Sequence, residues 1–151
     1  MKRVGFIIDG RLPSVRSILS RQCSPRSLLV GEKPSSSVAE MRYGWIADRV
    51  NATDTGLRYE LYRPFRKYDA VVFLKSMSDA CHEKAMELKA RGARILFDAN
   101  VDYYTTPKGV FPYEGMAPTL AQQQDAIRMT TYCDAVIADS EHIAEVARAH
   151  N

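Results

Sequence analysis

The chain has 151 residues, 46% of them hydrophobic and 26% charged, which suits one globular domain with a single core. No apolar run approaches the ~20 residues that a membrane span needs, and the run from Val4 to Ile8 is too short for a signal peptide. The net charge of +3 divides into +7 over residues 1–68 and −4 over residues 69–151, but the arginines are spread singly, which argues against a nucleic-acid recognition module.

Short apolar runs alternate with amphipathic segments along the chain, which is typical of βαβ units. The predicted strands cover residues 4–8, 27–31, 57–62, 70–74, 94–98 and 135–138. The runs at 71–74 and 95–97 are continuously apolar, which predicts central strands covered on both faces. The strand at 57–62 alternates with period two and is stopped by Pro64, which predicts a position near an edge. We therefore expect an α/β fold, a three-layer sandwich with a Rossmann-like, mostly parallel sheet.

Helices are predicted between these strands. A short helix is expected near residues 14–22, and a second one over 37–51 follows the serine run at 35–37. Its apolar stripe predicts that Trp45 belongs to the core. The third helix starts near Met77 and stops at Gly92, the fourth carries Pro118 in its first turn and runs to about Tyr132, and the last starts at Ser140 and Glu141.

Three predicted strands lead into aspartates, namely Asp9, Asp98 and Asp139. In an open α/β sheet, ligands bind at the carboxyl ends of the strands, where the connecting loops diverge. An aspartate after a strand also caps a helix or turn in many proteins, and this structural role stays open for each of the three. Lys75 follows another buried strand, where it could neutralise a phosphate or pair with Asp98.

The long connection from residue 99 to 117 is unusual, because most loops in α/β domains are far shorter. It begins at the carboxyl end of a predicted central strand and carries Asn100, Asp102 and Tyr103. Aromatic and hydrogen-bonding groups of this kind suit a sugar or a lipid-linked acceptor, although an inert surface loop is an equal alternative. At the serine run, Ser35 and Ser36 could help a helix N-terminus to bind phosphate or carboxylate, or could simply cap it.

Several common motifs are absent from the sequence. It contains neither a dinucleotide-binding glycine motif nor a P-loop, and no Ser-His-Asp or Cys-His arrangement can be assembled. Cys23, Cys81 and Cys133 are widely spaced, which predicts reduced thiols and a cytoplasmic protein. The cysteine and histidine spacing does not suit zinc. We therefore expect no metal and no cofactor.

Residues 68–151 resemble the N-terminal half of a GT-B glycosyltransferase of the group 1 (family 4) kind. The similarity lies in the strand from Tyr68 to Lys75, the strand from Ala93 to Asp98, and the segment from Cys133 to Ala144, while the segment from Arg42 to Ala47 resembles the acceptor-side first helix. The resemblance implies that residues 1–151 form one acceptor-binding domain of a retaining transferase. The nucleotide-sugar would be held mainly by a second, donor-binding domain, whose paired glutamates would lie beyond Asn151.

The polar residues at the predicted strand ends, in the long connection and near the serine run are the candidates for lining the acceptor cleft. Asn100 and Asp102 are the catalytic candidates, through acceptor orientation and charge stabilisation rather than covalent catalysis. The candidates for substrate binding are Ser35, Ser36, Arg42, Lys75, Asp98, Tyr103 and Ser140. The chain lacks the family's Gly-Gly turn after the first strand and its histidine motif after strand 70–74. By itself this domain is expected to transfer nothing.

The implied partners are a glycan or lipid-linked acceptor and, through the second domain, a nucleotide-sugar. The basic first half is either an ordinary solvated surface or a site for an anionic ligand or an anionic membrane surface, which adds peripheral contact with the inner membrane face as an option. The alternative function is a non-enzymatic Rossmann-like module that binds a small anionic ligand or a protein partner.

Overall fold

The computed structural model describes residues 1–12, 40–105 and 117–151. Within these ranges the strands are β1 (Lys2–Ile8), β2 (Leu57–Leu61), β3 (Ala70–Leu74), β4 (Arg94–Ala99) and β5 (Ala135–Ala138). The helices are a π-helical segment (Glu40–Gly44) that leads directly into α1 (Trp45–Ala52), then α2 (Asp79–Ala90), α3 (Leu120–Tyr132) and α4 (Glu141–Arg148). The strand predicted at 27–31 and the short helix predicted at 14–22 lie outside the described residues.

The strands form one sheet in the order β2-β1-β3-β4-β5, and every neighbouring pair is parallel. The register aligns Ile8 with Leu74, Leu74 with Asp98, and Asp98 with Ile137. The carboxyl ends of β1, β3, β4 and β5 therefore lie side by side, at what we call the carboxyl edge. The predicted α/β, Rossmann-like fold is confirmed, and β3 and β4 are interior strands as their apolar sequences indicate.

The two faces of the sheet are covered by different helices. One face carries Ile7, Phe73 and Phe97, which pack with apolar side chains of α2, α3 and α4. The other face carries Phe6, Ile8, Val72 and Leu74, which pack with Tyr43 of the π-helical segment, while α1 contacts β2. Because successive side chains of a strand point to opposite faces, both faces of these apolar strands need a helical cover. The predicted three layers follow from this arrangement.

The outer strand β2 is fastened by a side chain of α1. Asn51 donates its Nδ2 to the carbonyl of Tyr59 at 2.8 Å and accepts the Tyr59 N–H through Oδ1 at 2.9 Å. A carboxamide that satisfies both backbone groups of one residue takes the place of a neighbouring strand at that position. Among the strands that the structure describes, β2 is the outermost on its side, which agrees with the predicted position near an edge.

The prediction that Trp45 is a core residue is wrong. Its side chain is 65% exposed, and Met41 and Ile46 of the same predicted stripe are also exposed. The residue of α1 that is buried is Ala47. The π-helical segment explains the difference, because its wider turn with i to i+5 bonding rotates the following residues away from their positions in a regular α-helix.

The ends of the other helices follow local signals. Thr119 and Gln122 form a reciprocal capping box at the start of α3, so Pro118 lies just before the helix rather than in its first turn. The Ser140 hydroxyl accepts the Ile143 N–H at the start of α4, as the sequence predicts. Gly92 has a φ of 88° shortly after the end of α2, which a residue with a side chain rarely adopts.

Candidate functional site

Most of the described candidate residues lie at the carboxyl edge. Asp9 and Lys75 follow β1 and β3, Asp98 is the penultimate residue of β4, and Asp139 follows β5. The π-helical segment packs on one face of the sheet and α2 on the other. Open α/β sheets bind ligands at the carboxyl ends of their strands, where connections to opposite faces diverge. Ser35 and Ser36 lie outside the described residues.

Arg42 joins two of these aspartates from the π-helical segment. Its Nε donates to Asp98 Oδ2 at 3.0 Å and its Nη2 donates to Asp98 Oδ1 at 2.6 Å, which is a bidentate fork. Its Nη1 donates to Asp139 Oδ1. The partner of Asp98 is therefore Arg42, and Lys75 makes no ion pair with any residue in the described part of the chain. We call these three residues the Arg42 triad.

Burial and charge act in opposite directions on the triad. Burial raises the pKa of Asp98, because a carboxylate loses hydration there, and the hydrogen bonds from Arg42 only partly offset this effect. Burial also acts against the charged form of Arg42, but the hydrogen bonds to Asp98 and Asp139 outweigh it and raise the pKa of Arg42. The guanidinium therefore stays charged, held between the two carboxylates.

Asp102 organises the start of the long connection. Its Oδ1 accepts the backbone N–H of Tyr104 at 2.8 Å and of Thr105 at 3.1 Å. Its Oδ2 accepts the Thr105 hydroxyl and lies 3.2 Å from Nε2 of His142 in α4. Burial alone would raise the pKa of Asp102, but these hydrogen bonds outweigh it and lower the pKa. Both carboxylate oxygens are thus engaged within the protein, which gives Asp102 a structural task whatever else it does.

Tyr103 and Asn100 form a second polar pair beside the triad. The Tyr103 hydroxyl donates to Asn100 Oδ1 at 3.3 Å. Burial raises the pKa of Tyr103 to about 12, and the negative charges of Asp9 and Asp98 add to the effect. Tyr103 also packs against the core cluster that contains Ile7 of β1 and Phe97 of β4, so the long connection turns back onto the sheet here. The neighbouring Tyr104 is buried and fixed by a 2.7 Å hydrogen bond between its hydroxyl and that of Thr130.

Sequence reasoning missed Ser76, which joins the loops after β1 and β3. Its buried hydroxyl accepts the Gly10 N–H at 2.9 Å and donates to the Leu74 carbonyl at 2.8 Å. On either side of this contact, Asp9 and Lys75 both have a φ of 52°, in the left-handed region that non-glycine residues seldom adopt. Backbone strain of this kind persists where the surroundings impose it and is common at ligand sites. The signal available for Ser76 was a small hydroxyl residue two positions after a buried strand.

Ser140 and His142, at the start of α4, each have a hydrogen-bond partner in the structure. The hydrogen bond that the structure shows for the Ser140 hydroxyl is the α4 cap, the structural alternative to substrate binding. His142 is exposed in α4, and its Nε2 lies 3.2 Å from Asp102 of the long connection. Nothing in the local sequence around His142 indicates this partner, because the two residues are 40 positions apart.

The described charges at this edge are mixed. Asp9, Asp98, Asp102 and Asp139 lie there together with the cations Arg11, Arg42 and Lys75. Across the described ranges, no group of three or more histidine, cysteine or acidic residues is arranged to hold a metal ion. No helix in the same ranges has the length and apolarity that crossing a membrane requires.

A comparison of the chain with models of known protein families, with curated proteins and with solved structures finds no match. The sheet topology itself defines the class: an α/β protein with a Rossmann-like parallel sheet and a polar carboxyl edge.

Proposed function

We propose that this chain is the acceptor-side domain of a retaining GT-B glycosyltransferase, which moves a sugar from a nucleotide-sugar to a glycan or lipid-linked acceptor. The observation that carries the proposal is the convergence of polar side chains from β1, β3, β4, β5 and the long connection at one edge of a parallel sheet, where connections diverge. The resemblance of residues 68–151 to that family supports the same function.

The chemistry of the edge suits an acceptor better than a nucleotide diphosphate. Carboxylates accept hydrogen bonds from sugar hydroxyls, and the Asn100 amide and the Tyr103 hydroxyl can both donate and accept. The guanidinium of Arg42, which could otherwise bind a diphosphate, is already held by the carboxylates of Asp98 and Asp139. These properties favour a donor site on a second domain, with this edge facing the acceptor.

Within this proposal the residues have different tasks. Asn100, Lys75 and Tyr103 would contact the acceptor, and Asp98 with Arg42 would fix the charge and shape of the cleft. Asp102 would act in acceptor orientation through the loop that it holds, since its oxygens already accept four hydrogen bonds or close contacts. When the domains close, these preorganised dipoles and charges would stabilise the transition state of transfer without covalent catalysis.

Ligand-observed NMR tests the proposal with the chain as it is. We expect saturation transfer to at least one neutral oligosaccharide in a panel of glycans, and little or none to UDP-, GDP- and TDP-sugars. The variant Asn100→Ala should reduce the glycan signal, because it removes an amide at the carboxyl edge. The matched control is Asn51→Ala, which removes an amide of α1 that fastens β2. Micromolar binding of a nucleotide-sugar would place the donor site in this domain and would refute the assignment.

A second candidate function is a non-enzymatic module that binds a protein partner. The exposed side chains of Met41, Trp45 and Ile46 favour it, because three large apolar residues lie close together on the outer side of one helical segment. A small anionic ligand at Arg42 is disfavoured, because Asp98 and Asp139 already hold its guanidinium. Glycan binding that Asn100→Ala weakens would favour the transferase, whereas binding to no glycan would favour the module.

We also propose that the protein works in the cytoplasm, with peripheral membrane contact as an option for a lipid-linked acceptor. The apolar residues Met41, Trp45 and Ile46 are the described surface that suits such contact, although the exposed Glu40 and Asp48 beside them do not favour an anionic membrane. Fluorescence of Trp45 with neutral and with anionic vesicles tests this surface. A blue shift that requires anionic lipid would point to the basic first half instead.

A further inference from the structure

The two carboxylates of the Arg42 triad are held in different surroundings. The Asp98 side chain is only 7% exposed and takes the guanidinium in a bidentate fork. The Asp139 side chain is 39% exposed and takes only Nη1 of Arg42. Breaking a buried ion pair is strongly destabilising, whereas an exposed pair contributes little. Asp98 therefore fixes the position of Arg42, whereas the contact with Asp139 can be removed at little cost in stability.

Asp139 is nevertheless placed firmly. It follows β5, whose register pairs Ile137 with Asp98 and Ala138 with Ala99. The next residue, Ser140, caps α4 and so fixes the chain on the other side of Asp139. A carboxylate held beside a guanidinium in this way has a high effective concentration, so a free anion from solution competes with it poorly.

We propose that Asp139 sets the charge specificity of the carboxyl edge: it occupies Nη1 of Arg42 and thereby excludes ligands that carry a phosphate or carboxylate group at this position. A guanidinium fixed by a buried aspartate on one side and open on the other is a ready site for a bidentate or monodentate anion. Asp139 fills that site from within the protein. Specificity through an element that rejects the wrong ligand is common in binding sites.

Only the identity of the ligand rests on the proposed function. For a transferase acceptor, the inference means that the part of the acceptor bound at this edge is uncharged. Lys75 is a cation at the same edge, but it makes no ion pair with the triad in the described part of the chain. The contact between Asp139 and Arg42 is thus the element whose removal should change the ligand charge that the edge accepts.

The test is a titration with inorganic phosphate at constant ionic strength, followed by calorimetry for every variant, with the Arg42 Nε–H resonance as a second readout where Arg42 is present. We expect Asp139→Asn to bind phosphate about tenfold more tightly than the wild type, which corresponds to about 1.4 kcal/mol. Asp139 is partly exposed, so this variant should keep the folded spectrum. The double variant Arg42→Lys with Asp139→Asn should lose the gain, because lysine cannot keep the fork to Asp98 while it binds an anion.

The matched control is Glu141→Gln, which removes the same charge two residues away. Glu141 is exposed and pairs with Arg148 at 3.0 Å, so its loss leaves Arg42 occupied. A gain in phosphate affinity for Glu141→Gln equal to that of Asp139→Asn would overturn the proposal in favour of a general charge effect. Wild-type binding as tight as that of Asp139→Asn would overturn it as well. The titration involves no sugar, so it is independent of the glycan test of the proposed function.

Discussion

Aspartates at the carboxyl edge and at the opposite ends of the strands, which we call the amino edge, have different roles. At the amino edge, Asp69 accepts the Arg3 N–H at 2.7 Å, and Asp134 accepts the Ile95 N–H at 2.7 Å, so each side chain fastens the backbone of a neighbouring strand. At the carboxyl edge, Asp98 and Asp139 bind the side chain of Arg42 instead. The comparison shows that an aspartate does not by itself indicate a ligand site. An aspartate whose carboxylate accepts a hydrogen bond from the backbone N–H of a neighbouring strand has a structural role.

Substitutions near the amino edge and at the carboxyl edge should change different properties of the protein. Near the amino edge we expect losses of stability that leave the Arg42 triad unchanged. At the carboxyl edge we expect changes in charge, ligand preference and loop order that exceed the loss of stability. Four predictions test this division, and they are given from the largest expected effect to the smallest.

Gly5→Ala tests the packing of β1 against Tyr68, which lies in the connection between β2 and β3. A Cβ on Gly5 would lie 2.9 Å from Cδ1 and from Cε1 of the Tyr68 ring, which is buried and held by hydrogen bonds to Arg63 and Glu60. We expect a loss of about 2–3 kcal/mol in urea unfolding, as for other overpacked cores, with an unchanged Arg42 Nε–H resonance. Gly44→Ala is the control, since Gly44 is helical and its nearest contact would be an ordinary 3.5 Å. Equal losses in both variants would contradict the role of Tyr68.

Asp102→Ala tests whether that residue serves the loop or the reaction. The variant removes acceptors for the Tyr104 and Thr105 N–H groups, so we expect a loss of about 1–2 kcal/mol and faster hydrogen exchange at Tyr104. Asp102→Asn should restore part of the stability, because its amide oxygen keeps one acceptor. If Asp102→Ala instead left stability unchanged and abolished glycan binding, Asp102 would contact the ligand directly.

Asp134→Asn and Asp98→Asn should change the pH dependence of stability in opposite directions. The hydrogen bond from Ile95 and the ion pair with Lys89 lower the pKa of Asp134, so its contribution is complete above the unfolded pKa of about 3.9 and is lost as pH falls through the folded pKa. Burial raises the pKa of Asp98, so its contribution is present below about pH 3.9 and is lost as pH rises through the folded pKa.

Urea unfolding of both variants at acidic and neutral pH checks these signs. The stability difference between wild type and Asp134→Asn should grow as pH rises, and the difference between wild type and Asp98→Asn should shrink. A difference for Asp98→Asn that grows with pH would mean that the fork from Arg42 outweighs the loss of hydration, and the two edges would then be alike.

Trp45→Ala should have the smallest effect on stability. With 65% of its surface exposed, Trp45 contributes little to the core, so we expect a loss below about 1 kcal/mol rather than the several kcal/mol of a buried tryptophan. Trp45 is the single tryptophan of the chain, so its emission reports directly on its surroundings, and we expect the spectrum of a hydrated indole. Emission typical of a buried indole would restore the original prediction of a core residue.

Much of the fold is determined by the sequence alone. The continuous apolar runs at 71–74 and 95–97 have no amphipathic alternative, so they predict interior strands, and the alternating run ended by Pro64 predicts an edge strand. Local capping signals at Ser140 and Gly92 likewise predict helix ends, because a cap involves only neighbouring residues. These features depend on interactions over a few positions, which the sequence contains directly.

Only the tertiary structure decided which polar residues meet. Arg42 reaches Asp98 and Asp139 across 56 and 97 positions, and His142 reaches Asp102 across 40, distances over which sequence spacing carries no geometric information. The exposure of Trp45 depends on a π-helical turn that the apolar periodicity did not reveal. Likewise, Asp134 precedes β5 and Asp98 lies near the end of β4. Only the register of these strands with their neighbours decides whether the carboxylate meets a backbone N–H group or a guanidinium.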